Sequence, residues 1–176
     1  MQALLISDIH SNLVALESVI RDAESNFDID EIWATGDLVG YGPKPAECLK
    51  LLDSIGTIAV AGNHDLAVAG TISAGDFNHF AAAAVLWTRN ELDESYLEQL
   101  RSLPTLRDQH GVTLAHGSPR DPIWEYVASA SIARIALVEV ENLGVVVGHT
   151  HQPVIYRLID GISENVELSR AQPVTL

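Results

Sequence analysis

Short apolar runs alternate with amphipathic stretches of helical period along the first third of the chain. Residues 3–7 are an apolar run ending at Ser7 and read as a buried strand. Ser11 or Asn12 then caps a helix whose apolar positions, Leu13, Leu16, Ile20 and Ala23, recur at helical spacing. Glu17 and Arg21 add a favourable i,i+4 pair on its outer face. Residues 31–35 (Glu-Ile-Trp-Ala-Thr) read as a second strand, and a loop follows at Gly40-Tyr41-Gly42-Pro43. A helix from Pro45 to about Ser54 is closed by Gly56, and residues 57–61 make a third strand. Strand, helix, strand, helix, strand predicts a parallel sheet with helices on its faces.

The middle reads as helical. Phe77 to about Asn90 presents Phe80, Ala84 and Trp87 as a core-facing stripe, and a segment capped near Asp93 places Tyr96, Leu97 and Leu100 on one side before Pro104. Residues 105–109 and 112–115 flank His110-Gly111, a two-residue hairpin signal. A loop rich in Pro, Arg and Asp (118–122) leads through Trp124 to a helix from about Ser131 to Val140. Residues 144–147 are a short buried strand. Pro153–Ile159 and Ile162–Leu168, joined by Asp160-Gly161, predict a terminal hairpin with a type I′ turn. Neither repeats nor linkers interrupt the 176 residues, so one domain over 1–176 is expected.

Composition narrows the function classes. A formal charge of −14, with only 10 Lys and Arg, argues against a nucleic-acid duplex as partner. It leaves room for a small anionic substrate if bound cations reverse the local field. No apolar run approaches the roughly 20 residues that span a bilayer, so no membrane association is expected. The single cysteine, Cys48, excludes an intrachain disulfide, and the cytoplasm is the expected compartment.

The polar residues that follow the strands carry the chemistry. Asp8 and His10 follow the first strand, Asp37 the second, and Asn63 and His64 the third. His116 follows the later hairpin strand, and His149 and His151 the strand at 144–147. Ligands of open α/β sheets bind outside the carboxyl ends of the strands. A polar turn accounts for any one of these groups, but not for five histidines of seven gathered at strand ends. On extended chain, residues i and i+2 point the same way, so Asp8 with His10, and His149 with His151, are each expected to face a common site. Oxygen and imidazole donors without a cysteine cluster suit Mn, Fe, Zn, Ni or Co. Seven such donors are too many for one ion. They suffice for two if a carboxylate bridges, and Asp37 is the natural bridge.

The set Asp8-x-His10, Gly36-Asp37, Gly62-Asn63-His64-Asp65, His116 and Gly148-His149-Thr150-His151 resembles the calcineurin-like metallophosphoesterase superfamily, in order and spacing, from Ser7 to His151. The stretch from His116 to Pro122 is similar to the short bacterial and archaeal phosphodiesterase-like branch. The resemblance implies a four-layer α/β/β/α sandwich, two mixed sheets flanked by helices, in which the later strands form a second sheet. It also implies two divalent transition-metal ions, Mn, Fe, Ni or Zn. Asp8, His10 and His151 would hold one, Asn63, His116 and His149 the other, and Asp37 would bridge. His64 would be the catalytic histidine, and the ions would share a hydroxide that displaces the leaving oxygen at phosphorus.

Formal counting of two ions against Asp8, Asp37 and hydroxide leaves about +1, which favours a phosphodiester over a monoester dianion. Arg120 is a candidate phosphate contact, with a loop salt bridge to Asp121 or Asp108 as the alternative. Tyr41 is a candidate for lining the pocket, and Asp65 for orienting His64 or a neighbouring ligand. Gly40-Tyr41 and Asp65 stand where the related protein serine/threonine phosphatases carry Asp-Arg and Glu, which disfavours phosphoprotein as substrate. Family members usually continue past the His-x-His into an Asn-Pro-Gly-Ser segment that this sequence lacks. Three explanations are open: a branch shortened at its C-terminus, a truncated chain, or a partner chain that completes the sheet; an unpaired sheet edge would invite homo-oligomers. The expected activity is hydrolysis of small phosphate esters. A non-catalytic scaffold of the same fold is the alternative, and the retained His64 argues against it. A dinucleotide-binding oxidoreductase is disfavoured because no Gly-x-Gly-x-x-Gly follows the first strand.

Overall fold

A computed structural model describes residues 1–159 and 162–166. Strands β1 (Ala3–Ile6), β2 (Glu31–Thr35) and β3 (Ile58–Val60) form a parallel sheet in that order. Helices α1 (Leu13–Asn26) and α2 (Pro45–Ser54) make its crossovers. Alternation along the strands explains why this sheet is covered on both faces. Leu4, Ile6, Ala34 and Ala59 turn to one side, where they meet Leu16 and Ile20 of α1 and Leu49 and Leu52 of α2. Ala3, Trp33, Ile58 and Val60 turn to the other, against Val112, Leu114 and Val146.

Those last residues belong to a second sheet. Strands β4 (Leu106–Gln109) and β5 (Val112–Ala115) are antiparallel, and β6 (Gly144–Val146) runs parallel to β5. Gln109 pairs with Val112, so His110 and Gly111 are the whole turn, and both have positive φ (50° and 79°) as a type I′ turn requires. Helix α6 (Ala130–Val138) lies against β6 and against the antiparallel hairpin of β7 (Ile155–Ile159) and β8 (Ile162–Val166). The layers are thus α/β/β/α, with two sheets where strand order alone reads as one. The turn expected at Asp160-Gly161 and the strand end at 167–168 lie outside the described residues. Among those described, no helix is long and apolar enough to cross a membrane.

Two helical details differ from expectation. Helix α3 (Asn63–Ala69), only seven residues long, starts inside the polar motif after β3, and so short a segment shows no periodicity to read. Helix α4 (His79–Glu91) buries Ala81, Val85 and Thr88, not Phe80, Ala84 and Trp87. Asn78 sets this register: its Oδ1 accepts from the N–H groups of Phe80 and Ala81 at 3.0 Å, which turns the small Ala81 inward. Phe80 and Trp87 are left 76% and 40% exposed. Helix α5 (Glu94–Ser102) buries Leu97 and Leu100 as its spacing predicts.

Candidate metal centre

Most of the candidate ligands sit just past a strand, on backbone that the strand geometry does not predict. Asp8, His10, Asp37, His149 and His151 have φ between 47° and 67°, in the left-handed region. Among the described residues eight non-glycine side chains have positive φ; seven lie in these loops, with Ser11 and Tyr41, and only His110 lies elsewhere. Such backbone costs about 1–3 kcal/mol per residue and persists where surrounding contacts hold it. Those contacts are present. The N–H groups of Asp8, His10 and Ser11 donate to the carbonyls of Gly36, Asp37 and Leu38 at 3.0–3.1 Å, which carries the β1–β2 ladder into the loops. The Gly148 N–H donates to the His116 carbonyl at 3.0 Å and joins the loops of the second sheet. Gly62 and Gly148 are steric necessities: a Cβ on Gly62 would lie 2.1 Å from Asp37 Oδ1, and one on Gly148 2.0 Å from Ser7 Oγ.

The consequence is a redistribution of partners. Asp8, His10 and His151 converge, with one ligand atom from each within 4.8 Å of the others. Asp37, His116 and His149 converge likewise. His149 and His151 therefore face different groups, because the left-handed turns between them abolish the i,i+2 alignment expected of extended chain. Asp37 lies between the groups: its Oδ2 is 3.7 Å from His10 Nε2 and 3.4 Å from His116 Nε2. Asn63 joins the second group, with Oδ1 2.9 Å from His116 Nε2. A third convergence puts His64 with His10 and Asp37.

Ring orientation tests whether cations fit here. His10 Nδ1 donates to the Val39 carbonyl at 3.2 Å, and His116 Nδ1 to the Thr35 carbonyl at 2.9 Å. Those bonds place the proton on Nδ1 of the neutral ring and turn the Nε2 lone pair inward, as metal-ligating histidines require. His10 Nε2 then stands 3.2 Å from His151 Nε2, and His116 Nε2 stands 3.0 Å from His149 Nδ1. His149 Nε2 and His64 Nδ1 are buried without a hydrogen-bond partner among the described residues. So many inward acceptors are a donor set waiting for positive charge, and divalent ions fit it.

Titration tells the same story for the metal-free chain. Burial alone lowers His116, but the hydrogen bond and charge of Asp37 outweigh it and raise the ring to about 9. A proton there substitutes for a cation. Burial, opposed by Asp37, lowers His64 to about 4. Burial and the neighbouring His116 lower His149 to about 4. Burial would raise Asp37, yet the hydrogen bond from His116 and the charges of His116, His64 and His10 hold it below the usual carboxylate range.

The remaining candidates divide. Tyr41 lines the site, its ring centroid 4.6 Å from that of His64 and 4.8 Å from that of His10. The hydrogen bonds of the Asp65 side chain go to backbone and not to the His64 ring. Fully buried, Asp65 accepts from the N–H groups of Val39 at 3.1 Å and Gly62 at 2.9 Å, and so ties the Asp37 loop to the Asn63 loop. Arg120 makes its ion pair with Glu125, neither with Asp121 nor with Asp108, and the pair turns its guanidinium to the loop itself. Tyr126 was not among the candidates, although its ring stacks on that of His149 at 3.8 Å. Its signal was available: two aromatics, Trp124 and Tyr126, close together in the loop after His116.

A family model for calcineurin-like phosphoesterases matches residues 1–153. The chain belongs to the calcineurin-like phosphoesterase family. A metallophosphoesterase from Sphaerobacter thermophilus is 41% identical and superposes with a TM-score of 0.81, over 96% of this chain and 69% of its own. An uncharacterised protein of Methanocaldococcus jannaschii is 39% identical over 86% of this chain and 63% of its own. The symmetrical bis(5′-nucleosyl)-tetraphosphatase of Vibrio cholerae is 32% identical over 79% of this chain and 51% of its own. The chain thus spans about half to two-thirds of the length of these curated relatives. Phosphoesterases of this family use divalent metals, and the Asp and His clusters described above can hold them.

Proposed function

We propose that this phosphoesterase domain is a dinuclear metal-dependent hydrolase of phosphate esters, with phosphodiesters preferred, acting in the cytoplasm. Asp8, His10 and His151 hold one ion, Asn63, His116 and His149 the other, and Asp37 contributes to both. The observation that carries the reading is the position of Asp37 Oδ2, within 3.7 Å of one inward-facing histidine nitrogen from each group. Divalent ions held there supply positive charge that polarises a phosphoryl group and acidifies a water. The chain's own residues do the rest. Val39 and Thr35 carbonyls hold His10 and His116 in the ligating tautomer. The Asp8 carboxylate accepts the His149 N–H at 3.1 Å and so joins the two loops. His64 stands with His10 and Asp37, its Nδ1 buried and unpartnered among the described residues, and we assign it the catalytic histidine's role, stabilising charge on the phosphoryl group or protonating the leaving oxygen.

Several observations support this reading. The intact donor set and the free His64 suit a hydrolase better than a scaffold. The relatives named tetraphosphatases add dinucleoside polyphosphates to the substrates worth testing.

Hydrolysis of an aryl phosphodiester and an aryl phosphomonoester, after loading with Mn, Ni, Zn or Mg, tests the proposal. The expected result is diester hydrolysis with Mn or Ni, abolished by chelator. His64→Ala is expected to lower the rate at least about a hundredfold with metal content retained. Full activity in chelator would remove the metals from the mechanism. Loss of bound metal in His64→Ala would make His64 a ligand, and unchanged activity would take it out of the chemistry.

A further inference from the structure

The loop between His116 and α6 exposes aromatic surface beside the metal-holding groups. Tyr126 lies nearly parallel to the His149 ring (24°) and is 55% exposed. Trp124, 37% exposed, stands edge-on to Phe77 at 5.3 Å, and Phe77 stands edge-on to His64 at 5.0 Å. Tyr41, 48% exposed, borders His64 and His10. A single exposed ring needs no explanation, but three around one cluster do.

The loop is also built to hold these rings still. Glu125 takes the Ser118 hydroxyl and the Arg120 guanidinium, so the residue between Trp124 and Tyr126 is tied at its side chain. Asp121 Oδ1 accepts from the Trp124 N–H at 3.0 Å, and Pro122 carbonyl accepts from the Gly117 N–H at 2.7 Å. A Cβ on Gly117 would lie 2.5 Å from the Asp121 carbonyl oxygen, so the loop closes tightly on itself. Rings placed in advance lose little freedom when a ligand arrives.

We propose that Trp124 and Tyr126, with Tyr41, are specificity-determining residues that stack a nucleobase of the ester whose phosphate lies at the metal centre. The assignment rests on the hydrolase reading for the position of the phosphate. Flat, exposed rings recognise a flat π-system; an alkyl or sugar ester offers them none. Cationic recognition is weak on this side, since Arg120 is the one basic residue of 117–126 and Glu125 neutralises it. Base stacking and metal contact then share the task of binding.

Adenosine 5′-monophosphate and ribose 5-phosphate differ only in the base, and their competition against methyl 4-nitrophenyl phosphate hydrolysis tests the assignment. Their direct binding to the Mn-loaded protein, by calorimetry, adds a readout that needs no turnover. The expected result is about tenfold tighter binding of the nucleotide. That advantage should vanish in Trp124→Ala, return in Trp124→Phe, and leave ribose 5-phosphate binding and metal content unchanged. Equal binding of the two ligands by the unaltered protein overturns the proposal. So does a variant that weakens both equally, which marks a structural role. If no ester is hydrolysed under any metal, the hydrolase reading fails while the calorimetric comparison still decides the stacking.

Discussion

Asp65 shows how much of the site depends on a residue that meets no ligand. Its two oxygens satisfy the buried N–H groups of Val39 and Gly62, one in each loop that carries a candidate ligand. Burial, with the charge of Asp37, raises its carboxyl to about 7, so the arrangement is costly and is held by those backbone donors. Asp65→Ala strands both N–H groups, and a loss of about 2–5 kcal/mol is expected in urea denaturation. Weaker metal binding should accompany it, measured on the folded variant. Asp65→Asn keeps one acceptor and should lie between the two. An unchanged denaturation midpoint in Asp65→Ala would mean the loops are held by other contacts.

At the scale of elements, the short helix α3 is the weak member and the one that carries Asn63 and His64. Seven residues make few internal hydrogen bonds, so its stability comes from its ends and its packing. At the start, the Asp65 carboxylate caps the Gly62 N–H. At the other end, Arg89 of α4 donates to the carbonyls of Val68 and Ala67, and Arg101 of α5 to that of Ala69 at 3.0 Å. Positive charge at a helix C-terminus adds to the hydrogen bonds. Arg89→Met keeps the apolar stem and removes the donors, with an expected loss of about 1–3 kcal/mol in thermal or urea unfolding. A variant as stable as the parent would show that α3 needs no clamp. Phe80 and Trp87, on the outer face of α4, should tolerate polar substitution with little change in stability.

Across the whole molecule, the two sheets meet through an apolar layer around Trp33, Val60, Val112 and Leu114, and a polar cluster closes one side. Glu31 of β2 accepts from Trp33 Nε1 at 2.6 Å, Gln109 Nε2 at 3.0 Å and His110 Nε2 at 3.0 Å. The hydrogen bonds from His110, Trp33 and Gln109 depress its carboxyl from 4.5 to about 2. A depressed carboxylate stabilises the fold above its unfolded-state value and loses that contribution as pH falls through the folded one. Glu31→Gln should therefore be less stable than the parent at pH 7, with the difference in urea midpoint narrowing between about pH 4.5 and 2. A constant difference over that range would assign the effect to packing. The group is partly open to solvent, so the effect is screened.

The order of elements, the parallel β1–β2–β3 unit, the His110-Gly111 hairpin and the residues gathered at strand ends were legible in the sequence. Each follows from local rules: apolar period, turn chemistry, and the step from apolar run to polar loop. The register of α4 was not legible, because Ala81 and Phe80 are both apolar and only the cap at Asn78 chooses between them. The division of the histidines between two groups was implied by the family resemblance but not by local geometry, since it follows from left-handed backbone that Asp8, His10, Asp37, His149 and His151 adopt only under the hydrogen bonds of neighbouring loops. The pairing of Arg120 with Glu125 rather than with a nearer carboxylate was decided in the same way, by a tight loop closed on Gly117. Sequence determined which chemical groups the chain could bring to one place. Tertiary structure alone decided which of them face one another, because contacts between distant segments outweigh the preference of any single residue's backbone.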